Sequence, residues 1–232
     1  MTKHTFKMSD VTEETRVIGR SALGYDWNYL ADAETLLFGS TDETAFRMQN
    51  VTAGAGITDG TGTLYKCNVT VAGDLITTTI VIDLTGLRNT AAGDVIGVDG
   101  SSEVAHLGQI TAALNGTIFA GQMTCLETPA SGEPDIDLYS ASEATGTEDS
   151  AVSDLTETAL VTAGQDWIAT LSANNFNQQG FIASPAADEY LYLVGGGGTT
   201  DADYTAGIFR IDLYGYPCLL YTSDAADDLL CV

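Results

Sequence analysis

Cations and imidazoles are the scarcest resources of this chain. Its 232 residues hold eight lysines and arginines against 32 aspartates and glutamates, with two histidines, His4 and His106. At a formal net charge of −24, a polyphosphate meets long-range repulsion, so no nucleic-acid partner is expected. Two histidines exclude a zinc site built on several imidazoles, and Cys67 and Cys125 lack close metal-ligand spacing. His106 alternates with Val104 and Ile110 on a predicted strand, the setting of a packed or edge histidine. No Gly-x-Ser-x-Gly elbow is present, and Ser101 and Ser102 lie near His106 only along the chain. With so little equipment for acid–base or covalent chemistry, the chain reads as non-enzymatic and cofactor-free. Cysteine is also sparse: Cys67 and Cys125 read as two buried thiols, with one bridge as the alternative. No apolar run reaches the roughly 18 residues of a membrane helix, so no membrane partner is expected. The opening MTKHTFKMSD lacks the apolar centre of a secretory signal.

What the chain has in quantity is period-two alternation. Tyr65, Cys67, Val69 and Val71 alternate with Leu64, Lys66, Asn68 and Thr70, as a half-buried strand requires. After the turn Ala72-Gly73-Asp74, residues 75–84 place Ile76, Ile80, Ile82 and Leu84 on one face. Residues 106–114 and 117–126 flank Asn115-Gly116, a strong short hairpin signal because both positions tolerate positive φ. Further strands are predicted at 135–139, 189–194 and 207–215, and weaker ones near 46–51, 94–98 and 158–162. The last two strong runs flank a glycine-rich loop, read as a flexible hairpin connection. Frequent turns without alternating helices predict an all-β fold. The expected form is a single jelly-roll-like β-sandwich of about nine or ten antiparallel strands. Three textures set the boundaries: an N-terminal arm of mixed structure (1–44), the sandwich (45–217) with a loop-rich segment at 140–188, and a tail (218–232). In the arm, Ser9 and Asp10 could cap a helical turn into Glu13 and Glu14. Trp27, Tyr29, Leu36, Leu37 and Phe38 form a candidate interaction surface.

Carboxylates are the only candidate ligands in number. Asp201, Asp203 and Asp212 stand at positions one, three and twelve of a calcium-loop spacing, but Ala206 occupies the glycine position and the flanks are strands. Asp135 and Asp137 share one strand face, at roughly 7 Å, with Glu133 nearby. Asp135, Asp137, Asp201 and Asp203 are therefore candidate hard-cation ligands, against the alternative of a solvated sheet face. Gly195–Gly198 lacks the Lys-Ser/Thr pair of a phosphate loop.

Two stretches resemble known sequences. Cys218–Asp227 (CLLYTSDAAD) resembles a translated sequencing adapter, encoded by TGTCTCTTATACACATCTGACGCTGCCGAC. Residues 218–232 are on that resemblance a non-native tail. Their removal lowers the net charge from −24 by three aspartates (Asp224, Asp227, Asp228) to −21. The segments GTGTLYKCNVTVAGDLITTTIVIDLTGL (60–87), GQITAALNGTIFAGQMTCLETP (108–129) and ADEYLYLVGGGGTTDADYTAGIFRIDLYG (187–215) resemble virion structural proteins of marine tailed bacteriophages, of the capsid-associated or decoration type. That resemblance implies a location in the virion and interface burial without turnover. The implied partners are further copies of the chain, taken as a trimer, and other virion proteins. The alternative is a carbohydrate-binding β-sandwich of a fibre or adhesin, with or without calcium dependence, in which Tyr190, Tyr192, Tyr204 and Tyr214 stack on sugar rings.

Overall fold

The computed structural model describes residues 51–170, 177–197 and 201–217, and the backbone of 17–20, 25–29 and 36–40. The chain divides into two compact units, Met1–Gln49 and Asn50–Val232. The helical turn expected at 9–14 and the tail at 218–232 lie outside the described residues.

In the first unit, β1 (Val17–Arg20), β2 (Tyr25–Tyr29) and β3 (Leu36–Ser40) form an antiparallel sheet in that order. Strands thus occupy the part of the arm that the sequence left without regular structure. Of the candidate interaction residues, Trp27 pairs with Phe38, Tyr29 with Leu36, and Leu37 with Asn28.

The second unit is a β-sandwich. Its strands are β4 (Leu64–Ala72), β5 (Leu75–Asp83), β6 (Gly108–Ile110), β7 (Thr117–Ala130), β8 (Ile136–Ala141), β9 (Glu157–Val161), β10 (Gln178–Gly180), β11 (Glu189–Gly195) and β12 (Ala206–Tyr216). One sheet has five strands in the order β10-β7-β12-β5-β4, the other four in the order β6-β11-β8-β9. All described pairings are antiparallel. From β5 onward the chain passes repeatedly between the sheets, so most strands find partners distant in sequence.

Alternation decides what is buried. On β5, Ile76, Thr78, Ile80 and Ile82 are buried and the residues between them are not, as the period of two requires. Phe209, Ile211 and Leu213 of β12 and Met123 and Cys125 of β7 continue that face, and Leu138, Leu160, Leu191 and Leu193 of the second sheet join the same core. Trp167 closes it: its Nε1 donates to Ile136 O at 2.7 Å, and its ring meets Phe209 edge-on at 5.5 Å. Rings of this size bury about 150–250 Å² each. At about 25 cal/mol per Å², that is a gross gain on the order of 4–6 kcal/mol per ring. Cys67 and Cys125 are both free thiols, half-buried and buried respectively.

The four-stranded sheet is buried on its second face as well, beneath loops. Tyr192 is fully buried and donates from its hydroxyl to Glu143 O at 2.7 Å. Ala105 N bonds to Gly146 O, and Val95 N to Ser150 O. The part of the 140–188 segment around 143–152 is thereby fastened as a cover. The predicted strand at 94–98 appears only as isolated bridges.

Two expectations about connections are corrected. Asn115-Gly116 is no hairpin turn: after a first helical turn at Ala55–Thr58 (α1), Ala112–Asn115 is a second (α2), and β6 pairs with β11 instead of β7. The predicted strand at 106–114 accordingly shrinks to three residues. A type I′ turn needs positive φ at both central residues, whereas only Gly116 has it, at 70°. Asn115 uses its side chain elsewhere, accepting from Thr111 N at 2.8 Å and donating to Thr78 Oγ1 on β5 at 2.7 Å. Likewise β11 and β12 belong to different sheets, so the glycine-rich loop is a crossover between layers and no hairpin.

Candidate functional site

The outer face of the five-stranded sheet is polar at its centre and apolar at its rim. Asp212 lies opposite Thr79 on β5 and Gln122 on β7, which fixes its partners. It accepts from Thr79 Oγ1 at 2.7 Å, Arg210 Nε at 3.0 Å and Gln122 Nε2 at 3.3 Å, and Arg210 Nη2 approaches to 2.9 Å. Side-chain donors from three residues thus satisfy a carboxylate that is only 1% exposed. Gln122 also donates to Tyr214 Oη at 3.3 Å.

Toward one end of the same sheet, apolar side chains face outward. Between the pairs Tyr214–Ala120 and Gly215–Ile118 the register shifts, leaving Phe119 as the extra residue of a β-bulge. The bulge turns Ile118 inward and leaves Phe119 55% exposed, stacked on Tyr216 (49% exposed) at 6.2 Å. Leu75, 40% exposed, follows Tyr216 across the register of β12 and β5. Leu64 and Leu126 are exposed toward the opposite end of the sheet, and Val71, paired with Ile76, is exposed on the core-facing side of β4. A nearby cleft of about 110 Å³ between α2, β7 and Pro185–Ala187 is well below the roughly 300 Å³ of a ligand pocket.

The carboxylates sort into separate groups, and among the described residues no three potential ligands gather around a metal position. Asp135 and Asp137 do sit together, both under a tenth exposed. Asp137 Oδ1 accepts from Ala163 N at 2.7 Å, while Asp135 takes backbone bonds from Gly164 and Gln165 on one oxygen and leaves Oδ1 without a partner. Burial, then the charges of Asp137 and Asp166, push the Asp135 carboxyl up to about 6. The crossover loop lies directly over this pair. A Cβ on Gly196 would fall 2.8 Å from Asp135 Oδ1 and 2.9 Å from Asp137 Oδ1, and one on Gly197 2.8 Å from Asp135 Oδ2. These glycines allow close backbone approach, which explains them better than the flexibility the sequence suggested.

Asp201 and Asp203 are placed elsewhere, around Arg88. Its Nε donates to Asp201 Oδ1 at 2.7 Å, and its Nη1 lies 3.2 Å from Asp99 and 3.6 Å from Asp203. A guanidinium thus holds the cation position that the calcium-like spacing suggested, and Asp212 is remote from it on the sheet face. Glu148 was not foreseen. It is 7% exposed, accepts from Gly100 N at 3.2 Å through Oε2 and leaves Oε1 unpaired. Burial, with Asp149 as hydrogen-bond partner and charge, pushes it up to about 7.

Of the four tyrosines suggested as sugar platforms, Tyr192 and Tyr204 are buried. Tyr204 donates from its hydroxyl to Glu133 O at 2.8 Å. Tyr190 lies tilted against His106 at 4.9 Å, and burial lowers the basicity of that imidazole. Among the described residues, the exposed aromatics are instead Phe119 and Tyr216. No protein-family model, curated protein or solved structure matches this chain.

Proposed function

We propose that the chain is a non-enzymatic structural component of a phage particle, associated with the capsid, and that it works by burying surface against neighbouring virion proteins. The observation that carries this reading is the Phe119–Tyr216 stack, held outward by a bulge at the rim of a sheet face whose centre is polar. Exposed aromatics on a rigid sheet are the compact, low-entropy anchors around which protein interfaces form. Covering about half of each ring contributes roughly 2–3 kcal/mol per ring at about 25 cal/mol per Å². The resemblance of residues 60–215 to virion proteins of tailed phages supplies the setting. The same two rings could stack on a sugar, and this makes a carbohydrate-binding module the rival reading.

Mass spectrometry of nuclease-treated, density-banded particles from a phage that carries the gene tests the proposal. The tryptic peptide following Lys66 and ending at Arg88 should be recovered from the particles in many copies. Recovery solely from the particle-free fraction of the lysate would refute the structural role. Glycan-array binding that disappears in Phe119→Ser would favour the rival.

A further inference from the structure

We infer that β4 is an association edge for a second copy of this chain, the two β4 strands pairing antiparallel about a two-fold axis at Asn68. The inference rests on the association reading above and names one of its partners. All nine residues of β4 pair with β5 on one side, in unbroken register from Leu64–Asp83 to Ala72–Leu75, and no described strand pairs with the other side. None of the nine is buried. A row of unpaired N–H and C=O groups this long, about 30 Å at 3.4 Å per residue, is a template for another strand.

The other edges of the two sandwich sheets are short. β10 and β6 have three residues each, and β9 has five and begins with Glu157. β4 has no proline, bulge or carboxylate, and its one charge is Lys66.

Charge selects the occupant. On a chain of net charge −24, a second copy meets repulsion over most approaches, but two acid-free β4 edges meet without facing carboxylates. The two-fold at Asn68 sets Leu64 opposite Ala72, Tyr65 opposite Val71 and Lys66 opposite Thr70 of the other copy. The two Lys66 residues are then offset by four positions, roughly 14 Å, beyond the roughly 8 Å screening length at physiological salt. Leu64 and Val71, 47% and 50% exposed, gain cover at both ends of the new ladder. The product is an isologous pair with one continuous sheet of ten strands, in place of the trimer that the resemblance implied.

Sedimentation velocity on the full chain tests this inference. Wild type should dimerise reversibly at tens of micromolar. Asn68→Glu places two carboxylates across the axis and should weaken association roughly tenfold or more, with an unchanged melting temperature at concentrations where the wild type is monomeric, because Asn68 is exposed in the protomer. With Cys218 and Cys231 replaced by serine, Asn68→Cys should form a disulfide-linked dimer in air, and Gln178→Cys on β10 should not. A monomer at every concentration, or a dimer indifferent to Asn68→Glu, would overturn the edge. Loss of self-association in Phe119→Ser with Asn68→Glu unaffected would move the interface to the sheet face and reject β4. Absence of the protein from particles would sink the virion role without touching the dimer result.

Discussion

Asp135 and Glu148 each keep a carboxyl oxygen inside the protein without a hydrogen-bond partner, and the consequence is a pH dependence of stability. Their folded-state pKa values, about 6 and about 7, lie above those of an unfolded chain, near 4. Between pH 4 and 7 the native state therefore binds more protons than the unfolded state, and stability falls as pH rises through that window. The contribution is complete below about pH 4 and lost by about pH 7 to 8. Each group accounts for on the order of 1–3 kcal/mol. Glu148→Gln should raise the melting temperature at pH 7.5 and flatten its rise between pH 7.5 and 5. An unchanged slope would show that Glu148 is solvated. Gly196→Ala should be destabilising by about 1–3 kcal/mol in urea denaturation, because its Cβ would press on both Asp135 and Asp137. The sequence showed that these two aspartates share a face. It gave no sign that the glycine crossover, sixty residues further on, would seal them from water.

At the level of elements, the Asn-Gly signal is met locally but serves a different structure. Gly116 has the positive φ that the Asn-Gly pair announces, and the strand after it forms. The turn closes α2 instead of a hairpin, because Asn115 ties Thr111 to Thr78 across sequence-distant elements. Asn115→Ala should cost about 1–3 kcal/mol, since it strands the Thr111 amide and removes the tie to β5. Gly116→Val should cost about 1–2 kcal/mol from the left-handed backbone alone, with a further cost because its Cβ would meet Tyr216 O at 2.4 Å. Equilibrium denaturation of both variants is the check, and a Gly116→Val protein as stable as wild type would contradict the φ assigned here. The Phe119 bulge explains why the exposed ring is hidden from a reading by alternation. Strict alternation from Met123 and Cys125 counts back to Phe119 as an inward residue, and one extra residue reverses that parity. An apolar residue on both parities of one strand (Ile118 and Phe119) was the one available hint.

For the whole molecule, charge governs which partners are accessible. Of the cations whose side chains are described, Arg88 is engaged by Asp99, Asp201 and Asp203 and Arg210 by Asp212, which leaves Lys66. The protein should not retain DNA or RNA on filters at physiological salt, and sub-micromolar retention would contradict this. Removing residues 218–232 should leave the melting temperature unchanged, because β12 completes its pairing at Tyr216. A large loss would show that the adapter-like tail belongs to the fold.

The sequence by itself determined the fold class, most of the sandwich strands that carry it and the acidity of the chain. Period-two alternation, turn residues and net charge are properties of neighbouring residues and of composition, so they are legible without coordinates. Tertiary structure decided which strands meet. It set β6 beside β11, put β11 and β12 in different sheets, gave Asp201 and Asp203 to Arg88 and turned Phe119 outward. An antiparallel ladder takes its partner from anywhere in the chain, and a single bulge inverts every face beyond it. Both are settled by how the whole core packs, and local pattern holds no record of that.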